Sequence, residues 1–379
     1  MTHADFRPTV ERLGARFFDL FARHPIDAAD ATSLPVPSRY VSFAGVYAES
    51  LINEVAALDP ALIVYDTFTV VAPVIARSLG VPYVNVCPNH ALVPARVVAA
   101  LREDPRVATS AECWAAVNRL REVHGLRDAG PFSYVEALSP FLNLYAEPEE
   151  FFDPADRAAF EPIAFFGSVA PALHEADTVA VFPETRRSLR IYVSFGTVIW
   201  WYFAPAALAA LTVLSRTFAD LDVDAVISLG EHDLDTTARA PLARPNVRVV
   251  DYADQWAALQ AADVFVTHHG INSTHESIFH EVPMISYPFF GDQPPLARRC
   301  QDLGLAVPLA AAPRAPVEPD AVHVAIEQLT RDRERFAARL AEARSWELRT
   351  IAARGAVVDR VLGLIGATPR DSGSKGGLL

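Results

Sequence analysis

The sequence is short of cysteine, of basic residues and of long apolar runs. Its three scattered cysteines, Cys87, Cys113 and Cys300, offer neither a disulfide framework nor a paired-cysteine metal site. The formal net charge of −13 argues against nucleic acid and anionic membranes as partners, because both require a basic surface. No apolar run is long enough to span a bilayer, and no basic-then-apolar leader is present. We therefore expect no stable membrane insertion and a reducing, cytoplasmic location.

Two common nucleotide-binding motifs are absent as well. Neither GxGxxG nor GxxxxGK[ST] occurs, so dinucleotide binding and P-loop chemistry have no motif support. What the chain does have is length and apolar content. Its 379 residues suit two domains, and 51% hydrophobic residues indicate a globular protein.

Short apolar runs alternate with amphipathic stretches in both halves of the chain. This alternation is typical of parallel sheets covered by helices, so the predicted fold class is α/β with two Rossmann-like halves. Ligands usually bind in the crevice between such halves. Strands are predicted at 61–66, 83–88, 142–147 and 163–168, and then at 191–196, 225–230, 247–252, 264–269 and 284–288. Helices are predicted at 70–79, twice within 318–344, and at 346–365.

One strand end carries residues suited to binding an anion. His268 ends a predicted strand, Gly270 allows a tight turn, and Asn272 or Ser273 is a good N-cap for a helix that runs to Glu281. Free amides at a helix start, beside a histidine, suit a diphosphate. An ordinary strand–helix turn with a capped helix explains the same residues and stays open at this point.

A metal site is a weaker interpretation of the same region. His275 and His280 form HExxxH, which is one residue longer than the HExxH zinc signature. At 100° per residue this spacing puts the two rings on different faces of a helix, which disfavours a shared metal ion.

The region 247–309 resembles the donor-binding signature of the GT-B glycosyltransferases that use nucleotide-activated sugars, the family with plant and macrolide members. The signature runs W-x-P-Q, THGG-x-NSTxE, GVPM and DQ. The segment 191–197 (IYVSFGT) also resembles this family, so the resemblance covers the second half of the chain. Glu276 follows His268 by eight residues and Asp292 follows it by 24, as the signature requires. The matching residues are Tyr252 in place of tryptophan, Gln255, His268, Asn272, Ser273, Thr274, Glu276, Asp292 and Gln293.

The resemblance implies a role for each part of this signature. Tyr252 would stack on a uracil or thymine base, and Glu276 would accept hydrogen bonds from the ribose. His268, with amides from Gly270 to Ser273, would hold the diphosphate, so no metal ion and no other cofactor is required. The sugar hydroxyls would bind Asp292 and Gln293, although Asp292 could instead be a helix N-cap. The opposite loop would close the phosphate site with Ser194, Gly196 and Thr197.

Three positions depart from the family pattern and bear on which donor is used. His269 replaces a glycine and would crowd or supplement the phosphate site. Glu281 replaces the glycine before Val-Pro-Met, and Asp254 replaces the proline before Gln255.

In the first half the resemblance is weaker. Residues 5–20 resemble the second helix and third strand of the family's acceptor domain, and Asp66 matches the aspartate that orients the catalytic histidine. That histidine belongs to an earlier G-H-x-x-P loop, so the chain is expected to start about thirty residues late, through a mis-assigned start codon or as a catalytically silent relative. Substitutes for the base would be His3, His24 or His90, but a satisfied or solvated histidine is the favoured interpretation of His90.

The resemblance thus predicts an inverting GT-B glycosyltransferase that moves a hexose from a UDP- or dTDP-sugar to a small hydrophobic acceptor, such as a macrolide or polyketide. Two alternatives stay open, a nucleotide-sugar-binding partner without activity and a GT-B epimerase. The sequence also leaves open whether the chain forms a homodimer. The expected organisation is a truncated acceptor domain (1–170), a linker (171–188), a donor domain (189–345), a C-terminal helix packing back on the first domain (346–367) and a disordered tail (368–379).

Overall fold

The computed structural model describes residues 1, 4–25, 36–90, 92–103, 111–127, 129–131, 138–168, 181–184 and 187–365. Most of the predicted linker and all of the predicted tail lie outside these residues, as does His3.

The first half of the chain forms a parallel four-stranded sheet in the order β1-β2-β3-β4. Because the strands run parallel and in register, they all end at the same edge of the sheet. Among the described residues β1 is an outer strand, and its Val64 is 54% exposed. The strands are β1 (Ile63–Asp66), β2 (Tyr83–Cys87), β3 (Leu142–Tyr145) and β4 (Ile163–Phe165).

The second half forms a parallel six-stranded sheet in the order β10-β9-β8-β5-β6-β7. The chain builds outward from β5 to β7 and then returns to place β8 on the other side of β5, where Ser194 pairs with Thr267. Such a reversal of strand order opens a crevice at the carboxyl ends of the two strands. The strands are β5 (Leu189–Ser194), β6 (Val223–Ser228), β7 (Val247–Val250), β8 (Val264–Thr267), β9 (Met284–Ser286) and β10 (Ala306–Pro308).

Helices connect the strands in both halves, as parallel pairing requires. In the first half they are α1 (Arg7–Arg12), α2 (Leu20–Arg23), α3 (Val36–Ala56), α4 (Val71–Leu79), α5 (Pro94–Arg102) and α6 (Ala111–Glu122). In the second half they are α7 (Ile199–Ala219), α8 (Thr236–Arg239), α9 (Gln255–Ala261), α10 (Ile271–Phe279), α11 (Gln293–Asp302), α12 (Pro319–Arg331), α13 (Arg333–Ala352) and α14 (Arg354–Leu362). Short 3-10 turns span Ala4–Phe6, Glu149–Phe151, Pro154–Ala159 and Ala240–Leu242.

Helix α7 corrects the expectation that no segment could cross a membrane. By length and hydropathy alone, its 21 residues would suffice. The helix is interrupted, however, by Pro205 and by non-helical backbone at Phe203. Side chains such as Leu211, Leu214 and Phe218 pack fully buried in the core of the second sheet. Packing in the core therefore accounts for the apolar composition of the second half of α7, whereas Trp201 near its start is 76% exposed.

Three sequence predictions of local structure need correction. The FFDL segment (17–20) forms no strand: Asp19 caps a short helix by accepting the N–H groups of Phe21 and Ala22, and this helix is α2. Strand β10 was missed because it has only three residues. Helix α13 continues without a break through position 345, so the last predicted helix is in fact two, α13 and α14.

The last helix packs against the first sheet. Val357 and Val361 contact the apolar cluster formed by residues such as Val84 and Leu142. Arg360 also donates to the carbonyl of Ile163 at 2.9 Å. The C-terminal end of the chain therefore ties the two halves together.

Candidate functional site

The crevice between β5 and β8 brings together the two predicted phosphate-site loops. The loop after β5 contains Gly196, with a φ of 70°, and the loop after β8 contains Gly270. The His268 ring lies between them: an added Cβ would sit 2.9 Å from the ring at Gly196 and 2.5 Å from Nε2 at Gly270. Both positions thus require glycine, and together they hold the imidazole edge-on in the crevice. Ser194 stabilises the first loop by accepting the N–H of Gly196 at 3.3 Å, and Thr197 is exposed.

His268 is buried, and one of its ring nitrogens lacks a hydrogen-bond partner among the described residues. Burial lowers its pKa to about 4, and the backbone of Ser194 opposes this only in part. Its Nδ1 atom has no hydrogen-bond partner among the described residues. A neutral imidazole with an unused nitrogen, in the crevice between two glycine-containing loops, has a hydrogen bond available for an anion.

The helix that follows His268 begins two or three residues earlier than the sequence indicated. Gly270, not Asn272 or Ser273, is the N-cap of α10, and no side chain caps the helix. The first helical N–H groups, those of Ile271, Asn272 and Ser273, therefore lack intrahelical partners, as at every helix start. They provide donors and a partial positive charge beside His268.

The nucleoside end of the predicted site contains a connected polar group. Gln255 donates its amide N–H to Glu276 at 2.7 Å and to Ser273 at 3.1 Å. Burial, partly opposed by Gln255, raises the pKa of Glu276 to about 7. Tyr252 is 62% exposed, so its ring is accessible for stacking. The departure at Asp254 has a local reason, because its carboxylate caps α9 by accepting the N–H of Ala257.

His269 does not enter the phosphate site, contrary to expectation. Its ring is fully buried on the opposite side, with Nδ1 on Thr274 at 3.2 Å and Nε2 on Ser286 at 2.8 Å. The hydroxyl of Thr274, a residue predicted to contact the donor, thus contacts the buried His269 ring. The φ of His269 is 59° and that of Glu281 is 56°, a left-handed backbone that favours glycine. This explains why the family pattern has glycine at both positions.

The predicted sugar-binding pair has two different environments. Asp292 stands at the N-cap of α11 but makes no capping hydrogen bond; its Oδ2 accepts the backbone N–H of His90 at 3.2 Å. Burial raises the pKa of Asp292 to about 6. Gln293 uses its Oε1 to hold the preceding turn, accepting the N–H groups of Phe289 and Phe290. Gln293 therefore has a structural contact in addition to its predicted role.

The histidines of HExxxH have separate neighbours. His275 lies between the carboxylates of Glu147 and Glu347, fully buried, whereas the His280 ring packs edge-on against Trp256 at 4.3 Å. The described residues contain no group of three or more potential metal ligands. Sequence reasoning missed Glu147 and Glu347, because nothing in their spacing links them to residue 275.

In the first sheet, Asp66 ends β1 at the edge of a cavity of about 230 Å³. Its Oδ1 accepts the N–H of Phe68 at 2.7 Å. Most of the lining side chains are apolar or aromatic, among them Leu20, Phe21, Tyr40, Phe43, Phe68 and Val71, and Thr69 adds a polar group. Within the part of the chain that the structure describes, no histidine lines this cavity.

The substitute bases considered from sequence have partners of their own. His24 is buried, with Nε2 on the Ser50 hydroxyl at 3.0 Å and Nδ1 on the Leu20 carbonyl. His90 is buried, with Nδ1 on Glu147 at 2.7 Å. The favoured interpretation of His90 as a satisfied histidine agrees with this contact.

Comparisons with known proteins agree with this geometry. Residues 191–334 match the family model for UDP-glucoronosyl and UDP-glucosyl transferases. The match covers most of the second half of the chain. The whole chain has the GT-B fold: the crystal structure of the glycotransferase of kitacinnamycin superposes with a TM-score of 0.72 at 24% identity, covering 94% of this chain and 89% of that one. The glycosyltransferase VinC in complex with dTDP superposes with a TM-score of 0.62 at 17% identity, covering 95% and 91%.

Sequence relatives match over shorter lengths. An uncharacterized UDP-glucosyltransferase, YdhE of Bacillus subtilis (strain 168), is 25% identical over 193 residues, which is 51% of this chain and 46% of that protein. The chain thus spans about half the length, or less, of the first curated relatives that it matches.

Proposed function

We propose that the chain is a glycosyltransferase that transfers a sugar from a UDP- or dTDP-sugar with inversion. The observation that carries this proposal is His268, held between Gly196 and Gly270 at the strand-order reversal, with an unused Nδ1 and followed directly in sequence by the free amides at the start of α10. These groups together form a diphosphate site. VinC, which has the same fold, was crystallised with dTDP, and this supports a nucleoside diphosphate as ligand.

The chemistry follows from charge. When the anomeric carbon is attacked, the bond to the diphosphate breaks and negative charge grows on the leaving oxygen. The N–H groups at the start of α10 and the His268 imidazole stabilise that charge without a bound metal ion. Glu276 binds the ribose hydroxyls through its carboxylate, while Tyr252 stacks on the base and Asp292 binds the sugar.

We place the acceptor in the cavity beside Asp66. Its aromatic walls suit a hydrophobic ring system, such as a macrolide or polyketide, and Asp66 supplies a hydrogen-bond acceptor at its edge. A lone carboxylate is a weak general base for an alcohol, so we expect slow transfer unless an imidazole joins it. Three free, buried cysteines support a reducing, cytoplasmic setting.

The lack of a histidine beside Asp66, among the described residues, favours one second candidate, a nucleotide-sugar-binding partner without activity. Calorimetric titration with UDP and dTDP, run beside a turnover assay with UDP-glucose or dTDP-glucose and a panel of aromatic and macrolide acceptors, separates the two. Binding with transfer supports the enzyme, and binding without transfer supports the partner. Conversion of the nucleotide sugar without an acceptor would indicate an epimerase, and failure to bind either nucleotide would contradict all three.

A further inference from the structure

Four buried ionisable side chains, His90, Glu147, His275 and Glu347, form a hydrogen-bonded network, called the buried network below. It extends from the first half of the molecule to the second. Glu147, just after β3, contacts His90 Nδ1 through Oε2 at 2.7 Å and His275 Nε2 through Oε1 at 3.0 Å. His275 Nδ1 contacts Glu347 of α13. Glu147, His275 and Glu347 are fully buried, and His90 is 3% exposed. None of the four was assigned to the donor site, although His275 directly precedes Glu276.

The protonation states of His275 and Glu147 follow from the charges within the buried network. Burial alone would lower the pKa of His275, but the carboxylates of Glu347 and Glu147 raise it to about 10. Burial alone would raise the pKa of Glu147, but His90 and His275 hold it at about 2. His275 is therefore an imidazolium that donates to two carboxylates, and Glu147 is a carboxylate that accepts from two histidines. His90 must then carry a proton on Nδ1, which fixes its ring.

The buried network leads to Asp292, the predicted sugar-binding residue. The backbone N–H of His90 donates to Asp292 Oδ2 at 3.2 Å, across the boundary between the two sheets. Asp292 makes no capping bond to its own helix; its carboxylate contacts its own backbone N–H and, from the first half, the backbone N–H of His90. Its orientation therefore depends in part on the position of the loop after β2, and that loop is held through Glu147.

We propose that Glu147 and His275 are positioning residues for the donor sugar: they fix the His90 loop, and the loop orients Asp292. The proposal rests on the proposed function, because it requires Asp292 to bind the sugar. It also explains why four costly buried ionisable groups lie at the boundary between the sheets. The sugar subsite is then composite, with its ligand on the second domain and its orientation set in part by the first.

The test compares ligands with and without the sugar. UDP and UDP-glucose, and dTDP and dTDP-glucose, are titrated into the full chain, and the pair that the unmodified chain binds more tightly is used. Glu147→Gln keeps the shape and removes the charge. We expect its affinity for the nucleotide sugar to fall about tenfold, as loss of one good hydrogen bond would give, and its affinity for the free nucleotide to change less than twofold. His275→Gln should show the same split.

A further variant guards against loss of folding. Should Glu147→Gln fail to unfold cooperatively, His90→Ala, which retains the backbone N–H but removes the ring held by Glu147, decides the same question. We expect the same selective loss of the nucleotide sugar from it.

Two matched controls separate positioning from general stability. Arg349→Ala breaks the ion pair to Glu150, also between the two halves, at 2.7 Å. His24→Gln alters another buried histidine with both ring nitrogens engaged. Neither should discriminate between the two ligands.

The remaining outcomes overturn the proposal. Equal losses of affinity for both ligands would mean that the buried network is only structural. No loss of affinity would mean that it does not act on the sugar site. The same selective loss in Arg349→Ala would mean that loosening the boundary is sufficient. Failure of the unmodified chain to bind any of the four nucleotides would instead contradict the proposed function itself.

Discussion

The two sheets differ in how the side chains at their carboxyl edges are brought together. At the second sheet, the residues from His268 to Glu276 lie on one continuous strand–turn–helix segment. At the first sheet, Asp66 ends β1, while His90 and Glu147 follow β2 and β3, so the three residues come from separate parts of the sequence. A site built on one segment leaves a spacing pattern that can be read directly. A site assembled from separate strand ends requires the fold, and the predictions below test this contrast.

The largest expected effect concerns the first-sheet edge, where no described histidine joins Asp66. An acceptor whose hydroxyl is largely ionised at weakly alkaline pH, such as 4-nitrophenol, does not need a base. We expect transfer to it to be about 10²–10⁴-fold faster than to a saturated alcohol of similar size, the usual contribution of general-base catalysis. Initial rates at saturating donor measure the ratio. A ratio near one would mean that a competent base is present at the first-sheet edge.

The next effect compares buried histidines in the two regions. His275→Ala leaves the carboxylates of Glu147 and Glu347 facing each other and should cost about 3–5 kcal/mol of unfolding free energy. His24→Ala removes hydrogen bonds to uncharged groups and a longer, 3.8 Å contact to the partly exposed carboxylate of Glu54, and should cost about 1–3 kcal/mol. Urea unfolding of both variants measures the difference, and equal costs would contradict the charge assignment.

The same histidine gives stability a pH dependence with a defined sign. The folded pKa of His275, about 10, lies above its unfolded value. Its contribution is therefore complete below about pH 6.5 and is lost as the pH rises toward 10. His275→Gln should flatten the stability curve in this range, and an unchanged slope would contradict the assignment.

A smaller effect tests the nucleoside end of the second-sheet site. The pKa of Glu276 is raised to about 7, and ribose hydroxyls donate to its ionised form. Affinity for UDP-glucose, whose phosphates do not titrate near neutrality, should therefore fall as the pH drops below 7, by up to about tenfold per unit. Glu276→Gln should bind more weakly at pH 8 and lose this dependence. A pH-independent affinity in the unmodified chain would remove Glu276 from the ribose contact.

The smallest effect separates two residues with the same backbone conformation. Glu281 and His269 both have a positive φ, but only His269 has buried partners. Glu281→Gly should stabilise the chain by about 0.5–1 kcal/mol, because the strain is relieved and only an exposed ion pair to Arg344 is lost. His269→Gly should destabilise it by about 1–3 kcal/mol, because Thr274 and Ser286 lose their partner. Thermal unfolding checks both, and the same sign for the two variants would contradict the explanation.

The sequence predicted more features of the second half of the chain than of the first. Strand periodicity and the spacing after His268 predicted the α/β class and the phosphate loops, because those signals are local. The helix start was misplaced because Gly270, required there by the nearby His268 ring, has no side chain to signal a cap. The outcome for His269 depended on φ, which the sequence does not specify. Glu147 and Glu347 could not be found at all, since their pairing with His275 arises only when distant elements pack.

The most direct test of the central claim is a calorimetric titration of UDP and dTDP into the unmodified chain, into His268→Ala and into Asp66→Ala. If the diphosphate binds at the strand-order reversal of the second sheet, His268→Ala should weaken binding by about 1.5–3 kcal/mol, the worth of a hydrogen bond to a charged group. Asp66→Ala, which alters only the first-sheet edge, should leave it unchanged. Unchanged affinity in His268→Ala, or an equal loss in Asp66→Ala, would contradict the assignment of the donor site.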